Sequence, residues 1–337
     1  MLKYLRMHPD VEGHDLGETY VLNAGRWSAD NKIGSGKDGP SNEQCSIFQL
    51  YQKHYEKRGS IDAVERGQKY IDKTPRYLFQ SHEVPQRLLC ADSNAKMIVV
   101  LRNPVDRAYS AYNMDMQNLD IQEFKKFRSL HPGGKYPTFE EAIANEIVLL
   151  REDGLLNLNM TPAEQYQVRR NSIQDMNYNP EGMHPYIAMS LYHIQLRQWL
   201  AVLRDHFGPD KMMDHILIME SEADRENKQG AYDRVLDFLD LVPYDLSKGG
   251  TEEIKDEHVR SYDHAMSAET RKDLEAFFRP HNARLHELLS PLGVEISWAK
   301  QAYLEMAGME AIMQKKISAC VKNGSKFCEH LVKTFKD

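Results

Sequence analysis

Residues Lys96–Tyr112 read KMIVVLRNPVDRAYSAY, and this stretch decides the fold class. Met97–Leu101 is a short, unbroken apolar run rich in β-branched residues and bounded by polar ones. Such a run reads as a central parallel strand covered on both faces. Arg102 stands at its C-terminal end. Asn103 is a capping residue and Pro104 suits a first helical position, so a helix is expected from about Pro104 to Gln117. In open parallel sheets, ligands bind outside the C-terminal edge of the strands. Free N–H groups at the helix start attract phosphate or sulfate. Arg102 adds a fixed, bidentate cation, and Ser110 adds a hydroxyl donor. The same residues also suit a plain strand, cap and helix. In that reading Arg102 and Arg107 pair with surface carboxylates, and Ser110 is a small packing residue.

Working outward, the pattern alternates between helix and short strand. A short opening helix stops before Pro9, and Lys69–Asp72 forms a strand running into Thr74-Pro75. Helices are expected over 82–91, Phe139–Leu150, Pro185–His206 and Tyr232–Leu241, with a second buried strand at Ile216–Met219. Ser267 can cap a further helix carrying Leu274, Phe277 and Phe278. This alternation implies a mostly parallel sheet with covering helices. Residues 23–44 read as a long surface loop. The GSGKDG within it is not a phosphate loop, because Lys37 is followed by Asp38 and no apolar strand precedes Gly34.

The chain has 337 residues, 41% of them apolar and 28% charged, with a formal net charge of -7. That is ordinary globular composition. It gives no support to a nucleic-acid surface, which needs concentrated Lys and Arg, but one basic pocket can coexist with an acidic whole. No apolar run is long enough to span a membrane. Cys45, Cys90, Cys320 and Cys328 show no metal-ligand spacing. They are compatible with a reduced compartment or with a Cys320–Cys328 bridge. No metal is expected.

With these residues in view, the chain resembles the sulfotransferase family, and within it the carbohydrate branch of heparan sulfate glucosaminyl sulfotransferases. IVVLRNPVDRAYSAY resembles the family's strand–turn–helix for the 3′-phosphate of PAPS (3′-phosphoadenosine 5′-phosphosulfate). HPDV at 8–11, DKTPRYL at 72–78, SLYHIQLRQWL at 190–200 and RSYDHAMSAETRKDLEAFFRPHNARL at 260–285 follow in the family order. The likeness covers residues 1–298 as one domain, with 299–337 as a partly helical basic tail. It implies an α/β fold with a P-loop-NTPase-like parallel sheet flanked by helices. It also implies sulfuryl transfer from PAPS to a carbohydrate hydroxyl or amine.

The resemblance carries roles onto individual residues. Arg102, Ser110 and Arg260 correspond to binders of the 3′-phosphate. Lys73 corresponds to a group that orients the acceptor or stabilises the transferring sulfuryl. Glu18 corresponds to the base that takes the acceptor proton, with His14 as the alternative. Trp199 is expected in the core. The family begins with a strand and a Gly- and Lys-containing loop around the 5′-phosphosulfate, whereas Met1-Leu2-Lys3 matches the helix that follows. The fold is therefore expected to be N-terminally incomplete. That leaves either an incomplete version of an enzyme or a non-catalytic nucleotide- or glycan-binding homologue. Golgi residence fits the carbohydrate branch, and a soluble cytoplasmic location fits a sequence without signal or anchor.

Overall fold

The computed structural model describes residues 5, 8, 10–12, 69–74, 76–117, 135–161, 163–164, 185–248 and 265–322. Within these, β1 (Val11–Glu12) and β2 (Lys69–Tyr70) pair in parallel, with Val11 opposite Lys69. The strands β3 (Met97–Leu101) and β4 (Ile216–Glu220) also pair in parallel, with Met97 opposite Ile216 and Leu101 opposite Glu220. Around them lie α1 (Val84–Ala91), α2 (Pro104–Gln117), α3 (Phe139–Glu152), α4 (Tyr192–Phe207), α5 (Ser221–Glu226) and α6 (Lys228–Phe238). The result is an α/β fold with small parallel sheets flanked by helices, as the alternation of patterns predicts.

Local chemistry explains the element boundaries. Thr138 starts α3 with a reciprocal cap: its hydroxyl accepts from Glu141 N–H, and the Glu141 carboxylate accepts from Thr138 N–H at 2.8 Å. The expected helix from Pro185 begins only at Tyr192, because residues 188–190 form a tight 3-10 turn and Leu191 leaves the helical region at φ -82°, ψ 63°. Gly208 ends α4 at φ 83°, where a side chain would be strained. The helix expected at 232–241 starts earlier, because the Asn227 side chain caps α6 by accepting from Gly230 N–H at 2.9 Å.

One apolar cluster ties the two small sheets together. Leu5, Val11, Met219, Ala231, Tyr232, Val235, Leu236 and Leu246 are buried in it, with Ile71, Ile98 and Leu217 packed against it. Ile98 therefore faces α6, but cover on that face stops short of Val100, which stays 47% exposed. The expected full cover of β3 is thus incomplete. Trp199 is in the core as expected, and its Nε1 donates to the Leu78 carbonyl at 3.3 Å.

Of the described residues, 268–322 belong to a second compact unit. In it, α7 (Ala268–Leu289) and α8 (Ser297–Lys322) bury Leu274, Phe278, Leu285 and Leu289 together with Ile296, Ala299 and Ala302. Arg279 and Glu305 join the two helices at 3.0 Å. Among the described residues, no helix is long and apolar enough to cross a membrane.

Candidate functional site

Because β3 and β4 are parallel and in register, the chain leaves both at the same edge. Arg102 and Asn103 follow β3, while Ser221 and Glu222 follow β4. Asn103 caps α2: its Oδ1 accepts from Val105 N–H at 3.0 Å and from Asp106 N–H at 3.4 Å. Its carbonyl accepts from Arg107 N–H at 2.8 Å. Its own N–H donates to Glu222 Oε1 at 3.1 Å. Pro104 has no N–H to offer.

This corrects one expectation. The amides at the start of α2 are not open to an anion, because the protein's own Asn103 and Glu222 oxygens already occupy them. The same residue type that signals a cap also consumes the donors that the cap would otherwise leave exposed. Anion recognition at this edge therefore falls to side chains.

Arg102 meets that requirement. It is half-buried, and its Nε is buried with no hydrogen-bond partner among the described residues. A buried donor without an acceptor costs free energy until something fills the place. Ser110 is also half-buried, on α2. It lies two helical turns beyond Asn103, about 10 Å along the axis on the same side.

Arg107, by contrast, pairs with no surface carboxylate among the described residues. It is half-buried and donates to the Tyr186 carbonyl at 3.1 Å and to Met189 Sδ at 3.2 Å. Burial draws its pKa down, opposed chiefly by Tyr192 and Glu146. Glu146 accepts from Ile187 N–H at 2.8 Å and Ala188 N–H at 2.7 Å. Burial pushes its carboxyl up to about 7, against those two N–H groups and Arg107. Arg107 and Glu146 together brace the turn that leads into α4.

Lys73 is exposed, just beyond β2. The turn presenting it is tied down by Asp72, whose carboxylate accepts from Thr74 Oγ1 at 3.1 Å and from Tyr77 Oη at 2.9 Å. The Asp at this position thus has a local structural task beside Lys73. Glu18, His14 and Arg260 lie outside the described residues. Among the described residues, no group of His, Cys, Asp and Glu could hold a metal ion. Cys90 is disulfide-bonded.

Sequence reasoning missed Glu222, Tyr192 and Glu146 as parts of this region. Glu222 carried a faint signal, as a polar residue just beyond a buried strand beside the Arg102 strand. Glu146 carried none, since an acid on an amphipathic helix reads as solvent-facing.

The sulfotransferase domain family model matches residues 38–282. Membrane-associated sulfotransferase kil1 of Dictyostelium discoideum is 25% identical over 330 residues, covering 85% of this chain and 61% of that protein. Bifunctional heparan sulfate N-deacetylase/N-sulfotransferase 2 of Bos taurus is 26% identical over 250 residues, covering 68% of this chain and 23% of that protein. The human form is 25% identical over the same length. The chain therefore spans less than two thirds of each of these curated relatives. A crystal structure of a sulfotransferase from Alicyclobacillus acidocaldarius superposes with a TM-score of 0.51 at 20% identity, covering 89% of this chain and 92% of that one, which shows a shared fold. With the family model spanning most of the chain, this protein belongs to the sulfotransferase domain family.

Proposed function

We propose that the protein transfers a sulfuryl group from PAPS to a carbohydrate hydroxyl or amine. The observation that carries this reading is the buried Nε of Arg102 at the strand edge, which has no partner among the described residues and which an anionic oxygen would complete. Ser110 supplies a hydroxyl from α2, and Arg260 supplies a second guanidinium to the same 3′-phosphate. Lys73 stands exposed on a braced turn, free to meet the transferring group or the acceptor. Glu18, or His14 in its place, takes the acceptor proton as the new S–O or S–N bond forms and the bond to the phosphate oxygen breaks. Cationic groups steady the charge that develops on the departing oxygens.

The carbohydrate acceptor rests on the likeness to the heparan sulfate relatives and on the segments that resemble that branch. A disulfide at Cys90 fits an oxidising compartment, in keeping with the secretory pathway where such acceptors are made. The decisive experiment is transfer of radiolabelled sulfate from PAPS to a panel of glycans by the whole chain, with calorimetry of adenosine 3′,5′-bisphosphate in parallel. Labelled glycan is the expected product. Binding of the bisphosphate with no labelled product from any glycan would instead make the chain a non-catalytic homologue. Absence of binding would remove the PAPS reading altogether.

A further inference from the structure

The peptide unit joining Arg102 to Asn103 is held from both ends by side chains remote in sequence. Its carbonyl accepts from Tyr192 Oη at 3.0 Å, and its N–H donates to Glu222 Oε1 at 3.1 Å. Tyr192 is the first residue of α4 and is buried. Glu222 lies in α5, directly after β4. A peptide is planar, so these two bonds together set the orientation of the whole unit, and turning it over would break both. Neither side chain belongs to β3 or α2, so nothing in the local strand–cap–helix geometry requires either bond.

We infer that Tyr192 and Glu222 are positioning residues that hold the Arg102–Asn103 peptide so that the Arg102 guanidinium is presented to the phosphate of an incoming nucleotide. The inference rests on the PAPS reading above and adds two residues to it. The rationale is preorganisation. With the α2 amides consumed by Asn103 and Glu222, the ligand depends on the Arg102 fork, and a fork on a mobile peptide loses directional bonds first. Glu222 acts here as an acceptor rather than as a charge. Its carboxylate stands beside the anion site, where a negative charge is no help to a phosphate. Acceptor geometry and charge can therefore be separated by substitution.

The test measures affinity of the whole chain for adenosine 3′,5′-bisphosphate and for adenosine 5′-phosphate, by calorimetry, with thermal unfolding of every variant. The wild type is expected to prefer the bisphosphate by tenfold or more. Y192F and E222A should each lose most of that preference while binding the 5′-phosphate within about threefold of wild type. E222Q retains an acceptor and should keep the preference or increase it. The double variant Y192F/E222A should be little worse than either single one, because each change alone frees the same peptide. Equal weakening of both ligands would mark a merely structural role and overturn the inference. So would an unchanged preference in Y192F and E222A, while the PAPS reading stood. A wild type with no preference for the bisphosphate would overturn both.

Discussion

Tyr186 donates its hydroxyl hydrogen to Asp115 Oδ2 at 2.7 Å, joining the turn before α4 to the buried side of α2. Burial and the neighbouring Asp115 carboxylate raise the Tyr186 pKa far above its ordinary value, so the phenol stays a donor. The same hydroxyl lies 3.1 Å from Tyr136 Oη, and the ring packs edge-on against Tyr112. This contact seats the helix carrying Ser110 against the segment that introduces Tyr192.

Removing only the hydroxyl, by Tyr186→Phe, leaves the Asp115 carboxylate short of a buried donor. We expect a loss of about 1–3 kcal/mol in unfolding free energy, the usual cost of an uncompensated buried polar group. Urea unfolding checks it. A change below a few tenths of a kcal/mol would show that the bond contributes no net stability.

Glu146 makes stability depend on pH. Its folded pKa of about 7 lies above the ordinary 4.5 because burial disfavours the charged form. The folded state therefore binds the extra proton between those values. The contribution is fully present below about 4.5 and is lost as pH rises through about 7. The shift corresponds to about 3 kcal/mol at most. Unfolding free energy of the wild type should fall across this window, relative to Glu146→Gln. Parallel profiles for the two proteins would show that the Ile187 and Ala188 N–H groups and Arg107 keep Glu146 ionised.

Arg102→Ala should weaken adenosine 3′,5′-bisphosphate about 10- to 100-fold, the range for a hydrogen bond to a charged group. Arg102→Lys keeps the charge without the planar fork, and should recover only part of that loss. Calorimetry reads both. Full recovery by Lys would mean that charge alone, and not bidentate geometry, holds the phosphate.

Lys73→Ala tests the other end of the reaction. Loss of a cation that acts on the transferring group should lower kcat about 100- to 1000-fold, with little change in KM for PAPS. The turn beneath it is held by Asp72, Thr74 and Tyr77, so thermal stability should be unchanged. A rise in KM at constant kcat would move Lys73 from the reaction to ground-state binding.

The sequence by itself determined the elements around the site and their kind. Met97–Leu101, Asn103-Pro104 and the apolar side of α4 carry their conformation in residue type, because strand burial, helix capping and proline geometry act over a few neighbours. Arg102 was legible as a candidate for the same reason, since strand and cap together place it at a sheet edge. Only the tertiary structure decided what the polar groups at that edge do. Asn103 and Glu222 consume the amides that the cap pattern alone left open. Tyr192 and Glu222 reach the Arg102–Asn103 peptide from 90 and 119 residues away. Arg107 turns inward onto the Tyr186 carbonyl rather than outward to a carboxylate. Hydrogen bonds between groups so far apart in the chain depend on the register of β3 with β4 and on where α4 begins. No local pattern encodes either. The Lys96–Tyr112 stretch therefore names its chemistry locally, whereas the donors left for a ligand are settled by the packing around it.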